Sequence, residues 1–351
     1  MQNFIPMQEN QNRSDDIKNL LKANGFLKYE MGVAIIDLSH RQPARNAISM
    51  AGGDFWESPD IFGYNMDHFI YPASVYKIFI GAEVLRRIEI GDFSLGQIVE
   101  IVSPNDVDKR SIFSLKKIVS KELLGRSHNN FSAKKIFPGD TRKLLNVGDK
   151  VSIDYLLDLM LTRSDNTASN TLIDLVGRES ITEHIIYKNG WQGSEVTRKF
   201  LDRIKEDKPY RYSETTMSNA RHLAEFFYLV EKEQLVSPFV SQKLKEYMLH
   251  FSRTGKQGLW RKDLYKRYYC KGGWLETNLW KHNPLSLLKS LIKRKWGVIQ
   301  WSNDAGVITG ENSHYVVVVM SVNKKVSPNQ PFPMQKLGKI IFEYMEGHTK
   351  K

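Results

Sequence analysis

The sequence predicts an α+β fold in which strands from both chain ends close one sheet, with a mainly helical lobe inserted between them. Three observations carry this reading. A β-rich run at residues 31–38 lies near the start, helical periodicity dominates the middle, and four β candidates crowd the last ninety or so positions (~90 by count along the chain).

Taken in order, Ser14-Asp15-Asp16 offers a helix cap with early acids, and Ile17, Leu20 and Leu21 recur at helical spacing until Asn24-Gly25. Residues 31–38 follow as a buried strand, with 47–50 as its hairpin partner. A helix is expected over 74–90, where Ile78, Phe79, Ala82, Leu85 and Ile88 share one face. Another spans 151–176, broken by a polar patch at 162–166, and two more occupy 219–230 and 236–249. Strands are expected at 268–274, 297–301, 305–309 and 315–322, the last with four consecutive valines, before a final helix over 333–346. The resulting division is a polar tail at 1–14, an α/β lobe from 15–70 and 250–346, and a mainly helical lobe at 71–249. A surface excursion interrupts the latter at about 106–141, an insertion lies at 275–295, and 347–351 form a basic tail.

Composition narrows the function classes. The chain has 351 residues, 41% hydrophobic and 11% aromatic, as a soluble globular protein does. A single cysteine, Cys270, excludes an intramolecular disulfide and a cysteine-rich zinc cage, and the nine histidines form no His-x-x-x-His pair, so no metal or other cofactor is expected. There is no phosphate-cradling Gly-x-x-x-x-Gly-Lys-Ser/Thr loop and no Gly-x-Ser-x-Gly elbow. Part of the net charge of +12 gathers at 262–271 and 289–295. A solvated basic face accounts for it more simply than an anionic partner, and no nucleic-acid module accompanies it. No stretch reads as a membrane span or as a secretory signal, which leaves the compartment and the oligomeric state open.

Three short motifs carry chemistry. In Ser74-Val75-Tyr76-Lys77, positions i and i+3 share a helix face, so a desolvated lysine can take the serine proton. The same spacing begins at Ser114, Ser132, Ser286, Ser290 and Ser321, and Ser74 stands out by context: an apolar strand region before it and a long amphipathic helix after it. The bland alternative is a helix-capping serine with a solvated lysine. Ser164-Asp165-Asn166 interrupts an apolar helical pattern; there Ser164 suits a proton relay, Asn166 a substrate amide clamp, and Asp165 a helix cap. The alternative is a plain interhelical turn. Lys271-Gly272-Gly273-Trp274 reads as a strand with two glycines, where Lys271 suits a substrate carboxylate, Gly273 allows close approach of a substrate backbone, and a backbone N–H near Trp274 completes an oxyanion hole with that of Ser74. A β-bulge is the alternative, and Lys188, Lys256 and Lys295 also begin Lys-x-Gly.

In this order the three motifs resemble the active-site set of class A β-lactamases and penicillin-binding proteins. So do the flanks: Gly81-Ala82-Glu83-Val84-Leu85, residues 150–157, Asn170-Thr171-Leu172-Ile173 and Asn303-Asp304-Ala305-Gly306-Val307. The resemblance implies a five-stranded antiparallel sheet with flanking helices and an all-helical second lobe. It also implies Ser74 acylated by a β-lactam or a D-Ala-D-Ala-like peptide, Lys77 as base, Ser164 as proton shuttle, Asn166 as amide clamp and Lys271 as carboxylate anchor, in a periplasmic or extracellular setting. Three departures stand against the family pattern. The deacylating Glu-x-x-x-Asn loop is missing, with Lys205 near the expected glutamate and Glu206 and Asp207 beside it. Gly272 replaces the usual Thr or Ser, and extra length occurs at 106–141 and 275–295. Efficient deacylation is therefore not expected; a D,D-peptidase or a sensor that acylates without turnover is the alternative.

Overall fold

The computed structural model describes residues 5–39, 47–49, 55–57, 59–102, 140–197, 199, 216–251, 258–259, 261, 263–278, 298–326 and 332–348. The first elements are α1 (Ile5–Ala23), β1 (Glu30–Asp37), β2 (Ala47–Ser49), β3 (Phe55–Glu57) and β4 (Ile61–Tyr64). The middle holds α2 (Lys77–Glu89), β5 (Ile98–Glu100), β6 (Lys150–Ser152), α3 (Ile153–Thr162) and α4 (Asn166–Val176). It continues through α5 (Arg178–Ile181), α6 (Ala220–Glu231) and α7 (Pro238–Phe251). Strands β7 (Arg267–Asn278), β8 (Val298–Thr309) and β9 (His314–Val326) then lead to α8 (Met334–His348).

The main sheet has five strands in the order β4-β1-β9-β8-β7, every neighbouring pair antiparallel. Strands from both chain ends do close one sheet, as the sequence predicts. Burial on both faces explains why the valine run at 316–319 does not alternate with polar residues. Ala34, Ile36, Val316, Val318 and Met320 face a core shared with α2, α3, α4 and α6. Val33, Ile35, Val317 and Val319 face a second core with Ile17 and Leu21 of α1 and Leu337 and Ile341 of α8. At roughly 25 cal/mol per Å² of apolar area removed from water, these two layers supply the main force holding the sheet.

Several expectations need correction. Residues 47–49 pair with Phe55–Glu57, and the antiparallel partner of β1 on that side is β4. Gly63 makes this pairing possible: a Cβ there would lie 2.1 Å from the Val33 carbonyl oxygen. The polar tail expected at 1–14 gives way to α1, which begins at Ile5. The two strands expected at 297–301 and 305–309 are one, because the polar Ser302-Asn303-Asp304 between them finds partners within the sheet. Asn303 donates to the Tyr71 carbonyl (3.0 Å) and accepts from the Ser321 N–H (3.0 Å), while Asp304 accepts from Leu259 N–H (2.6 Å) and Tyr268 O–H (2.8 Å). The insertion expected from 275 starts later, since β7 stays paired with β8 through Asn278↔Val298. All of the excursion at 106–141 but its last two residues lies outside the described residues, as do Lys205, Glu206 and Asp207.

A buried carboxyl in α6 gives the fold a measurable pH dependence. Burial raises Glu225 to about 7, against the hydrogen bond from Trp191 Nε1 (2.7 Å) and the charge of Arg221, with Asp67 reinforcing the rise. A folded-state pKa above the unfolded value means stability present at low pH and lost as pH climbs toward about 7. His222 beside it is held down to about 4 by burial and pulls the opposite way at lower pH. Glu225→Gln keeps an acceptor for Trp191 and removes the ionisation. Relative to wild type, the variant is expected to gain on the order of 1–3 kcal/mol between about pH 5 and about pH 8, read by urea unfolding. A constant difference across that range would contradict this assignment.

Candidate active site

Ser74 sits on a single 3₁₀ turn, Ala73–Tyr76, that feeds α2. Pro72 opens the turn and accepts the Val75 N–H (3.1 Å), and the Lys77 N–H donates back to the Ser74 carbonyl. Ala73 holds φ at 48°, a left-handed conformation that a non-glycine residue adopts only when its surroundings over-determine it. Those surroundings are visible: Val75, Tyr76, Ile78 and Phe79 are all buried, which fixes the turn against the core. Ser74 itself stays half-buried, whereas Lys77 is completely covered.

The Ser164-Asp165-Asn166 turn joins α3 to α4. Asp165 is the N-cap of α4, its side chain accepting from Ala168 N–H (2.9 Å), as the sequence suggests. Ser164 holds φ at 60°, again left-handed. That twist turns two oxygens of Ser164 and one of Asn166 toward a single atom. Lys77 Nζ lies 2.6 Å from the Ser164 carbonyl, 3.2 Å from Ser164 Oγ and 2.6 Å from Asn166 Oδ1.

Strand β7 is the sheet edge and brings the third motif. Lys271 is fully buried, its amine 3.0 Å from Ser164 Oγ and 2.9 Å from the Gly272 carbonyl. Two lysine amines thus flank one hydroxyl. Burial first, and then the charge of Lys271, push Lys77 well below the ordinary lysine value, against the pull of Asp165. Burial lowers Lys271 to about 7, against the opposing influence of Cys270 and Asp304.

The wiring fits a neutral Lys77. An uncharged amine has two N–H donors and one lone pair. The carbonyl of Ser164 and Oδ1 of Asn166 can only accept, so they take both donors, and the lone pair faces the Ser164 hydroxyl. Lys271, as an ammonium, donates to Ser164 Oγ from the other side. The arrangement places one serine hydroxyl, that of Ser164, between two buried lysine amines, a geometry able to carry proton transfer.

Gly273 has a close approach of its own within the chain. A Cβ on it would lie 2.6 Å from Pro72 O, 2.7 Å from Ser74 N and 2.8 Å from Val75 N. Its lack of a side chain admits the backbone of the serine turn itself, which locks β7 against that turn. Trp274 is 47% exposed and pairs with Ser302, so it alternates away from the face that carries Lys271 and Gly273. The structure thus brings Ser74, Lys77, Ser164, Asn166, Lys271 and Gly273 together and leaves the Trp274 indole at the rim. Asn303, overlooked as a site residue, ties β8 to the approach of the serine turn through Tyr71. Arg163 and Arg142 were also missed. A basic residue directly after the helix and directly before Ser164, as Arg163 is, was the available signal.

Among the described residues there is no His/Cys/Asp/Glu cluster fit for a metal ion, and no helix long and apolar enough to cross a membrane. A model of the family described as "Beta-lactamase enzyme family" matches residues 12–345. The chain is similar in structure to the β-lactamase from Sphaerobacter thermophilus DSM 20745, at 16% identity over 95% of this chain and 97% of that one, with a TM-score of 0.60. An ancestral class A β-lactamase, reconstructed for Gram-negative bacteria, is 19% identical over 94% of this chain and 99% of its own, with a TM-score of 0.58. A PBP-A variant, captured as its acyl-enzyme with penicillin G, is 15% identical over 96% and 97%, with a TM-score of 0.61. No curated protein matches the chain in sequence.

Proposed function

Since this chain belongs to the β-lactamase enzyme family, we propose that it is a serine hydrolase or acyltransferase in which Ser74 is acylated by a β-lactam or by a D-Ala-D-Ala-like amide. The observation that carries the reading is the placement of Ser164 Oγ between Lys77 (3.2 Å), which follows Ser74 by one helical turn, and Lys271 (3.0 Å). Neutral Lys77 removes the Ser74 proton as Oγ attacks the carbonyl carbon. The backbone N–H groups of Ser74 and Trp274 receive the charge that develops on the carbonyl oxygen. As the C–N bond breaks, the proton passes from Lys77 through Ser164 Oγ to the leaving nitrogen. Asn166 holds the substrate amide, and Lys271 attracts the substrate carboxylate.

Deacylation is the slow step in this proposal. The segment that should carry a Glu-x-x-x-Asn pattern reads Arg203-Ile204-Lys205-Glu206-Asp207, with a lysine near the position where the family has its water-activating glutamate. An acyl-enzyme without such a base persists or passes to an amine. This favours a penicillin-binding or sensor protein over an efficient β-lactamase, the second reading, which the matching family description supports. Following penicillin G consumption and intact protein mass on the same sample separates them. The proposal expects about one equivalent of antibiotic consumed and an adduct lasting minutes or longer, absent in Ser74→Ala. Catalytic consumption would establish the β-lactamase reading, and neither adduct nor consumption on wild type would refute acylation by the β-lactam.

A further inference from the structure

Between the end of α3 and Ser164 stands one residue, Arg163, whose side chain is only 2% exposed. Its Nη1 donates to the carbonyl of Arg142 (3.1 Å) and its Nη2 to that of Lys143 (2.8 Å). On the other side, Nε and Nη2 donate to Asp165 Oδ2 (3.3 and 3.1 Å), with Asp140 Oδ2 at 3.8 Å from Nη1. The other oxygen of Asp165 caps α4. The guanidinium thus fastens the segment at 140–143 to the middle residue of the Ser164-Asp165-Asn166 turn.

That segment is itself anchored. Arg142 bonds Asp140 through Nε (2.9 Å) and Nη2 (2.7 Å), pairs with Asp158 of α3, and donates to Thr162 Oγ1 (2.9 Å). Arg142 also tightens its grip electrostatically, since the hydrogen bond to Asp140 holds that carboxyl below its ordinary value. The assembly has two guanidinium groups, three carboxylates and two backbone carbonyls, arranged around a turn whose Ser164 is held left-handed at φ 60°. Such a conformation persists only where neighbours enforce it. Here the enforcing contacts converge on Asp165, and the oxygens that Lys77 meets lie on either side of it.

We infer that Arg163 is a positioning residue for the acylation chemistry: its guanidinium holds Asp165, and through it the Ser164 and Asn166 oxygens, in register with Lys77. The kinetic consequence rests on the acyl-serine reading above. Arginine is required because one planar fork bridges backbone carbonyls on one side and a carboxylate on the other. Lysine keeps the charge but reaches one side at a time.

The test compares wild type, Arg163→Gln and Arg163→Lys as full chains. Acylation by penicillin G is followed by rapid quench and intact mass, resolving the rate constant from the half-saturating concentration. Arg163→Gln is expected to lose about 10- to 100-fold in the rate constant, as small misplacements of reacting groups do. The half-saturating concentration is expected to change less than about threefold, and Arg163→Lys to recover part of the rate. A purely structural arginine would lower the melting temperature and leave the rate per folded molecule unchanged, and that result overturns the inference. A second readout is independent of acylation: the ε-carbon signal of Lys77 in ¹³C-lysine-labelled protein, assigned with Lys77→Arg, is expected to move in both Arg163 variants. If wild type is never acylated, the acyl-serine reading fails and this signal alone decides the clamp, an unmoved Lys77 resonance overturning it. Should Arg163→Gln not fold, Arg163→Lys answers both questions.

Discussion

Replacing Lys77 with methionine is expected to slow acylation of Ser74 by about 10²- to 10⁴-fold, the range typical for loss of a general base. Methionine preserves length and suits a site that is already fully covered. What it removes is the lone pair that, in the proposed mechanism, receives the serine proton. The pH profile makes the assignment specific. In the proposed mechanism, acylation by an anionic β-lactam needs Lys77 neutral and Lys271 charged. Lys77, depressed by burial and by Lys271, loses its proton as pH rises and gives the ascending limb. Lys271, lowered to about 7 by burial, loses its charge above that pH and gives the descending limb. The two amines share Ser164 as a neighbour, so the limbs report the pair. Wild type is expected to show a bell in the second-order acylation constant, and Lys77→Met only the falling limb. A rising limb that survives in Lys77→Met would assign the base elsewhere.

The second large effect is expected at Gly273. An alanine there brings a methyl group within 2.6–2.8 Å of Pro72 O, Ser74 N and Val75 N. All three are backbone atoms that no side-chain rotation can move aside. Either β7 lifts away or the Ser74 turn shifts, and the overpacking costs roughly 1–3 kcal/mol of stability. Either movement also separates Ser74 from Lys271 and from the Trp274 N–H, so acylation is expected to fall by about 10²-fold. Thermal unfolding and the acylation rate together check this. An alanine variant that acylates at the wild-type rate would show that the close approach of β7 has no part in the chemistry.

Much of this arrangement was readable in the chain. The helix over 151–176 breaks where expected, because Ser164-Asp165-Asn166 places a cap inside an apolar pattern, and Asp165 does cap α4. The strands at both ends do join, because the centres of β1 (residues 33–36) and β9 (residues 316–320) are apolar on both faces and only a central position in a sheet covered on both sides accommodates that. What periodicity did not disclose were long-range polar partnerships. The single β8 depends on Asn303 meeting Tyr71 and Ser321, and on Asp304 meeting Leu259 and Tyr268, contacts that local sequence does not encode. The pairing of β1 with β4 turned on one glycine, Gly63, whose value emerges only against the Val33 carbonyl. In the site, the order of motifs located the lysines and serines. What the motif alone does not disclose is the full burial of Lys271, whose amine meets Ser164 Oγ and the Gly272 carbonyl. The Arg163 clamp joins residues about twenty positions apart in sequence through backbone carbonyls, which carry no residue signature.

The most direct test of the account is to locate the acyl group. Wild-type protein exposed to penicillin G, quenched in acid, digested and sequenced by tandem mass spectrometry should carry the penicilloyl mass on the peptide containing Ser74, at Ser74 Oγ, and nowhere else. The mass on any other residue, or none on a protein shown to be folded, would contradict the assignment of Ser74 as the nucleophile.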